Sequence, residues 1–192
     1  MSEVLTINTE QGIFKEEIVE PFKMLDENHP LLKQPIPEYK GILPSTPMDT
    51  LIKRLKMTMK LYGGIGLSAN QCGVQSRVFV LGIDDFFIAC INPKVIDQSP
   101  NLVKENEGCL SFPGLYLKLE RPEWIEVEFT EPTGDTVQAR LEGITARCYL
   151  HELDHMNGVR FVDNVGAATL NVARRKQQKI VKKIVRNQKN GV

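Results

Sequence analysis

His151-Glu152-Leu153-Asp154-His155 sets two imidazoles four residues apart, with a carboxylate beside the first. On a helix, positions i and i+4 lie one above the other on a single face. Two histidines so placed can grip one divalent ion, and Glu152 then stands close enough to move a proton on a water that the ion holds. The chain has three histidines, and this segment uses two of them. The segment reads as the centre of a metal-dependent hydrolase. The pattern turns helical after Gly143, and Asn157-Gly158 is a stop signal, so the helix is expected between them.

Before this helix the chain reads as strands. Residues 124–130, Trp-Ile-Glu-Val-Glu-Phe-Thr, alternate at period two with Ile125, Val127 and Phe129 on one face. Val137 to Leu141 alternate as well, and Pro132-Thr133-Gly134-Asp135 makes the turn between the two runs. Val78 to Leu81 is a compact, mostly β-branched or aromatic run. Further upstream, Thr46-Pro47 looks like a helix N-cap with proline in the first turn. Met48, Leu51, Ile52, Leu55, Met59 and Tyr62 keep helical spacing until Gly63-Gly64 stops it. Pro30, Pro35, Pro37, Pro44 and Pro47 make residues 28–47 a turn-rich lead-in. A last helix is expected over 167–187. The predicted fold is α+β: a single domain of mostly antiparallel strands around the central helix that carries the histidine pair, with a helix at the C-terminus.

With 192 residues the chain is long enough for one domain with a sizeable core. Its 24 basic and 24 acidic side chains balance, which removes any bulk electrostatic argument for specific DNA or a membrane as partner. No apolar run is long enough for a bilayer, and the N-terminus lacks the pattern of a secretory signal. Cys72, Cys90, Cys109 and Cys148 show no paired spacing, so a reducing compartment is expected. The cytoplasm of a bacterial or phage-infected cell fits, and an organelle remains an alternative. The ends differ in charge: residues 1–30 hold seven acidic side chains against Lys15 and Lys23, whereas 174–192 hold eight basic ones and no acidic one. Residues 1–27 are therefore read as an acidic extension and 28–192 as the catalytic domain, including the basic C-terminal helix.

Two histidines do not complete a catalytic site, which usually takes three protein ligands. The common zinc peptidases find the third downstream, but no glutamate follows Glu152 and no histidine follows His155. In the pattern H-E-x-x-H-x-x-G-x-x-H the last position is Phe161. Asp163 is one candidate, although an aspartate so soon after a helix stop more often orders a turn. The better candidate is upstream, in Glu107-Gly108-Cys109-Leu110-Ser111, because a metal lowers a thiol's pKa and binds it as thiolate. A third segment, Gly64-Ile65-Gly66-Leu67-Ser68-Ala69-Asn70-Gln71, has small residues that let backbone line a cleft, and Gln71 offers an amide to a carbonyl. No Gly-Lys-Ser/Thr follows, so it is not a phosphate loop.

Together these three segments resemble the peptide deformylase family. Residues 107–111 and 151–155 match its second and third motifs, and Gly158, Phe161 and Asp163 fit the usual continuation of the third. Residues 64–71 match the first with one departure, Ser68 where an alanine is usual. The segment Ser111 to Tyr116, followed by Arg121-Pro122, looks most like the organellar and related subgroup. The resemblance implies a hydrolase that removes the N-formyl group from the initiator methionine of new polypeptides.

On that resemblance Cys109, His151 and His155 hold one divalent metal, ferrous iron in the cell, with zinc, nickel or cobalt possible in purified protein. Glu152 handles the proton, and the Leu110 backbone N–H with the Gln71 side chain stabilises the oxyanion. The N-formylmethionyl peptide is expected to pair with backbone at Ile65-Gly66 and Gly108. Ile65, Ile144 and Cys148 are expected to wall the methionine pocket, and Tyr116 and Arg147 to border its entrance. A C-terminal helix docks some members on the ribosome near the nascent-chain exit, and the basic helix here is expected to do the same. An ordinary metallopeptidase is disfavoured by the absent downstream ligand. A ribosome-binding module that keeps a metal for structure has no need of Glu152 or Gln71.

Overall fold

The computed structural model describes residues 7–8, 12–13, 19–83 and 86–189, with side chains over 19–83 and 86–182. In chain order the elements are β1 (Ile7–Asn8), β2 (Gly12–Ile13), α1 (Thr46–Leu61), β3 (Gly66–Ser68), β4 (Val78–Ile83), β5 (Phe86–Gln98), β6 (Leu102–Gly108), β7 (Tyr116–Pro122), β8 (Trp124–Thr130), β9 (Thr136–Glu142), α2 (Gly143–Met156) and α3 (Ala167–Lys189). Short 3-10 turns cover Pro30–Lys33, Ala69–Cys72 and Phe161–Asn164. The α+β expectation holds. Five antiparallel strands run in the order β3-β4-β5-β8-β9, and β6 pairs with β7 as a separate antiparallel ribbon. Apart from the β1–β2 ladder, the first 18 residues of the acidic extension lie outside the described residues.

The sheet lies between two helices, and the sequence of each strand reflects that. Phe79 and Leu81 of β4 pack toward α2 with Ala146, Cys148, Tyr149 and Met156. Val78 and Val80 pack the other way, with Met48, Ile52, Leu55 and Met59 of α1. Burial on both faces accounts for an apolar run without alternation. By contrast, β8 buries Ile125, Val127 and Phe129 on one face only, so it alternates. The first helix is capped one residue earlier than expected: Ser45 is its N-cap, Thr46 is its first residue and Pro47 falls within the first turn. Leu31 and Ile36, from the proline-rich lead-in, close one end of the α2 core.

Helix α2 ends where expected. Asn157 is its C-cap, and Gly158 takes φ +74°. A Cβ at Gly158 would stand 2.7 Å from the carbonyl carbon of Gln34, so both backbone conformation and close approach require glycine. A third cluster, Phe112, Leu115, Leu117, Leu119, Phe161 and Val162, seats the β6–β7 ribbon against Leu170 and Ala173 of α3. Helix α3 also donates from Gln177 Nε2 to the Pro113 carbonyl at 2.8 Å, and Arg174 forks onto Glu27 at 2.9 and 3.0 Å. Of the apolar pairs expected along α3, Ile180 and Val181 are exposed, whereas the side chains of Ile184 and Val185 lie outside the described residues. Residues 22–27 run along the body: Phe22 N–H donates to Thr58 Oγ1 and Leu25 N–H to the Gln71 carbonyl. No helix among the described residues is long and apolar enough to cross a membrane.

Candidate metal centre

The i, i+4 spacing in α2 turns His151 and His155 toward the same side, with ring centroids 5.2 Å apart. The end of the β6–β7 ribbon brings Cys109 to them. One ligand atom from each of Cys109, His151 and His155 lies within 4.8 Å of the others, the only such group of three among the described residues. Cys109 Sγ and His155 Nε2 are 3.2 Å apart. Asp163, the other candidate from sequence, is not part of the cluster. It accepts the Arg160 N–H and both Nε and Nη2 of Arg160 at 2.6–3.0 Å, and so orders the turn after α2. Phe161, where a histidine would complete a peptidase pattern, packs against the His151 ring at 5.7 Å.

The three donors fit a divalent ion. A metal-bound histidine usually gives its second ring nitrogen to a carboxylate or carbonyl, which fixes tautomer and orientation. His151 does this: its Nδ1 lies 3.2 Å from Glu107 Oε2, which leaves Nε2 for the cluster. One thiol and two imidazoles form a donor set suited to a borderline or soft divalent metal. Burial holds the His155 imidazole well below its ordinary pKa, hence neutral and able to ligate. Burial would lower His151 too, but Cys109 and Glu107 outweigh it and hold that ring well above the usual range. A cation at the same place competes with that proton.

Glu107 anchors a buried ionic network that the sequence reading did not foresee. Arg121 forks onto it at 2.9 and 3.0 Å, and Arg147 Nη1 donates to it at 2.7 Å. Burial pushes the Glu107 carboxyl up, yet the hydrogen bonds from His151 and Arg121 prevail and bring it down to about 2. Arg121 also reaches Asp154 at 2.7 Å, so Asp154 points away from the ligands and ties α2 to β7. One sign of this network was present in the sequence: β7 buries Leu117, Leu119 and Arg121 at alternate positions, and a charge in an inward slot requires a partner.

A cavity of about 470 Å³ opens beside the cluster. Of the expected site residues, Ile65, Gly66, Gln71, Gly108, Cys109, Leu110, Tyr116, Ile144, Arg147, Cys148, His151 and Glu152 all line it, whereas His155 lies beneath, 1% exposed. Their positions differ in depth. Cys148 and Arg147 are buried in the wall, and the Arg147 guanidinium is held by Glu105, Glu107 and the carbonyls of Leu119 and Val103. Ile65, Ile144 and Tyr116 stand at the rim, about half exposed. Gln71 is oriented by its own turn: Oε1 accepts the Ser68 N–H at 2.9 Å, which turns Nε2 toward Ser111 Oγ at 3.1 Å and Cys109 Sγ at 3.4 Å. Asn70 Nδ2 donates to the His155 carbonyl at 2.7 Å and locks the same turn to α2. Glu152 is 4% exposed, and burial raises its carboxyl pKa while His151 and the Ser68 hydroxyl oppose the rise.

The likeness to known proteins is broad. The model of the family described as polypeptide deformylase matches residues 21–171. A peptide deformylase of Thermotoga maritima is 37% identical over 135 residues, covering 70% of this chain and 82% of that protein. The crystal structure of a peptide deformylase from Synechococcus elongatus, in complex with actinonin, superposes with TM-score 0.78 at 34% identity, over 82% of this chain and 88% of its own. The peptide deformylase of Legionella pneumophila also gives TM-score 0.78, at 31% identity over 86% of this chain and 98% of its own. Its three motifs converge on one cavity and the likeness extends over most of its length: the chain belongs to the polypeptide deformylase family.

Proposed function

We propose that this chain hydrolyses the formyl amide at the N-terminus of newly made polypeptides, releasing formate and a free amine. The family match supports the activity. The observation that carries the assignment of residues is the three-donor cluster of Cys109, His151 and His155 opening on the cavity that Glu152 and Gln71 also line. A divalent ion held by those three residues would supply Lewis acidity, making a water more acidic and a carbonyl carbon more electrophilic. Ferrous iron is the ion assigned in the cell, with zinc, nickel or cobalt able to take the same donors.

The protein's own groups do the rest. Glu152 accepts the proton from the attacking water and returns it to the departing amine nitrogen. Burial raises its carboxyl pKa, the direction that favours holding a proton between the two transfers. Gln71 Nε2 and the Leu110 N–H donate to the formyl oxygen as negative charge develops there. The substrate backbone is assigned to the outer edge of β3, which no described strand covers, at Gly66 with Ile65 just before it, and to Gly108 at the end of β6, an added strand between them. Cys148 with the apolar parts of Ile65 and Ile144 receives the methionine side chain, and Tyr116 and Arg147 bound the pocket.

The test is formate release from formyl-Met-Ala-Ser by anaerobically purified protein reloaded with ferrous iron or nickel. Turnover that disappears in Cys109→Ala and Glu152→Gln supports the assignment; none from wild type carrying one ion per chain rejects it. For α3 the reading is docking on ribosomal phosphates through Arg175, Lys176, Lys179 and Lys182, all exposed, whereas Arg174 is engaged with Glu27. Co-sedimentation with ribosomes that weakens steeply with salt supports it, and salt-independent or absent binding removes it.

A further inference from the structure

Ser68 occupies the position where the resembling motif usually carries alanine, and it is fully buried at the end of β3. Its hydroxyl lies 2.7 Å from Glu152 Oε2 and 3.1 Å from the Glu152 carbonyl oxygen. A hydroxyl has one hydrogen to give, and the nearer, ionisable acceptor takes it. The other carboxylate oxygen is differently placed. Oε1 has no hydrogen-bond partner among the described residues. It lies against Gly66, where an added Cβ would come within 2.5 Å of it. Gly66 and Glu152 both line the cavity. Rotation of a glutamate carboxylate about its last torsion is otherwise broad and two-fold, so an anchor on one oxygen decides which oxygen is presented.

We propose that Ser68 is a positioning residue for the reaction: its hydroxyl pins Oε2 of Glu152 so that a single oxygen, Oε1, carries the proton. Resting on the hydrolytic reading above, the sequence of transfers balances. Water gives a proton to Oε1 as its oxygen bonds to the formyl carbon. The carbon–nitrogen bond then breaks, and the same proton passes from Oε1 to the amine nitrogen. Throughout, Oε2 stays an acceptor of the Ser68 hydrogen and takes no part in the exchange. Ser68 serves the second polar group of the cavity as well, by a different route: its backbone N–H orients Gln71. Replacing the side chain alone therefore separates the two roles, because the backbone donor remains.

The experiment compares wild type, Ser68→Ala and Ser68→Thr, nickel-loaded, for kcat and KM on formyl-Met-Ala-Ser, with bound nickel and melting temperature measured on each. Loss of a hydrogen bond to a charged group predicts a fall in kcat of about tenfold in Ser68→Ala, with KM, nickel content and melting unchanged. Ser68→Thr keeps the hydroxyl and is expected within about threefold of wild type. Wild-type kcat in Ser68→Ala overturns the proposal, as does a loss that follows nickel content or melting temperature. Equal loss in both variants, each folded and loaded, also overturns it, since volume and not the hydroxyl would then matter. Wild-type protein that releases no formate rejects the hydrolytic reading and the proposal with it, whereas active wild type beside unimpaired Ser68→Ala rejects the proposal alone.

Discussion

The two depths of the cavity are built on opposite rules. At its base, Glu107, Arg147, His151 and Glu152, with Arg121 bound to Glu107 from outside the lining, are each below a tenth exposed, and nearly every polar atom has a named partner. At its rim, Ile65, Tyr116 and Ile144 are apolar, 41–64% exposed, and outside the three core clusters. Chemistry on one kind of bond needs groups held in place before the substrate arrives, and a satisfied buried network does that. Binding many different polypeptides behind one common head needs a surface that makes weak, adaptable contacts. The contrast predicts that damage at the base changes turnover or folding by orders of magnitude, while damage at the rim changes only apparent affinity.

Glu152→Gln tests the base most severely: turnover is expected to fall about a thousandfold or more with the metal retained, as for loss of a general base. Retained turnover would break the contrast at its strongest point. Glu107→Gln comes next. It leaves Arg121 and Arg147 facing a neutral partner, and a cost of about 3 kcal/mol in urea unfolding is expected near neutral pH. The pH dependence has a definite sign. The Glu107 carboxyl is depressed from 4.5 to about 2 in the folded chain, so its stabilising contribution is full above pH 4.5 and disappears as pH falls toward 2. The gap between wild type and Glu107→Gln should close over that window; a constant gap would assign the damage to packing instead.

Gln71→Ala is expected to lower kcat by about a hundredfold, the usual loss for one oxyanion donor, with little change in KM. The smallest effects belong to the rim. Tyr116→Ala or Ile144→Ala should raise KM a few-fold and leave kcat within about a factor of two, since half-exposed side chains contribute modest burial. A kcat loss at Tyr116 as large as that at Gln71 would erase the distinction between the two depths.

Legibility in the sequence follows a similar division. Strands β8 and β9 were readable because each buries one face more deeply than the other, which writes a period into the residues. Helix α2 has no exposed residue from Thr145 to Met156 and was readable from its histidine spacing and its Asn157-Gly158 stop. β6 carries no such period: of Leu102 to Gly108 only Glu107 is buried, and the strand exists because β7 pairs with it. β5 was equally hidden. It holds Pro93 and Asn92 at φ +52°, and its register slips twice as it pairs with β8, so alternation is lost. In the site, Cys109, His151, Glu152 and His155 stood out because few residue types ligate metals or move protons. Arg121 and Asn70 did not, and Arg147 was expected at the pocket entrance rather than in the buried network, since the importance of all three lies in which buried atom they reach across the fold. Asn70, for instance, serves the His155 carbonyl 85 positions away.

Cys109 and His155 are 46 residues apart, one at the end of the β6–β7 ribbon and the other in α2. An ion gripping both is a reversible cross-link between two segments of the chain, formed only once ribbon and helix have met. Its contribution to stability then obeys mass action: each tenfold rise in free ion above its dissociation constant adds about 1.4 kcal/mol. The unfolding midpoint should therefore climb with free metal and drop when a chelator is added. The same ion that serves the chemistry thus reports that folding is complete, because an open chain offers its donors too far apart to compete.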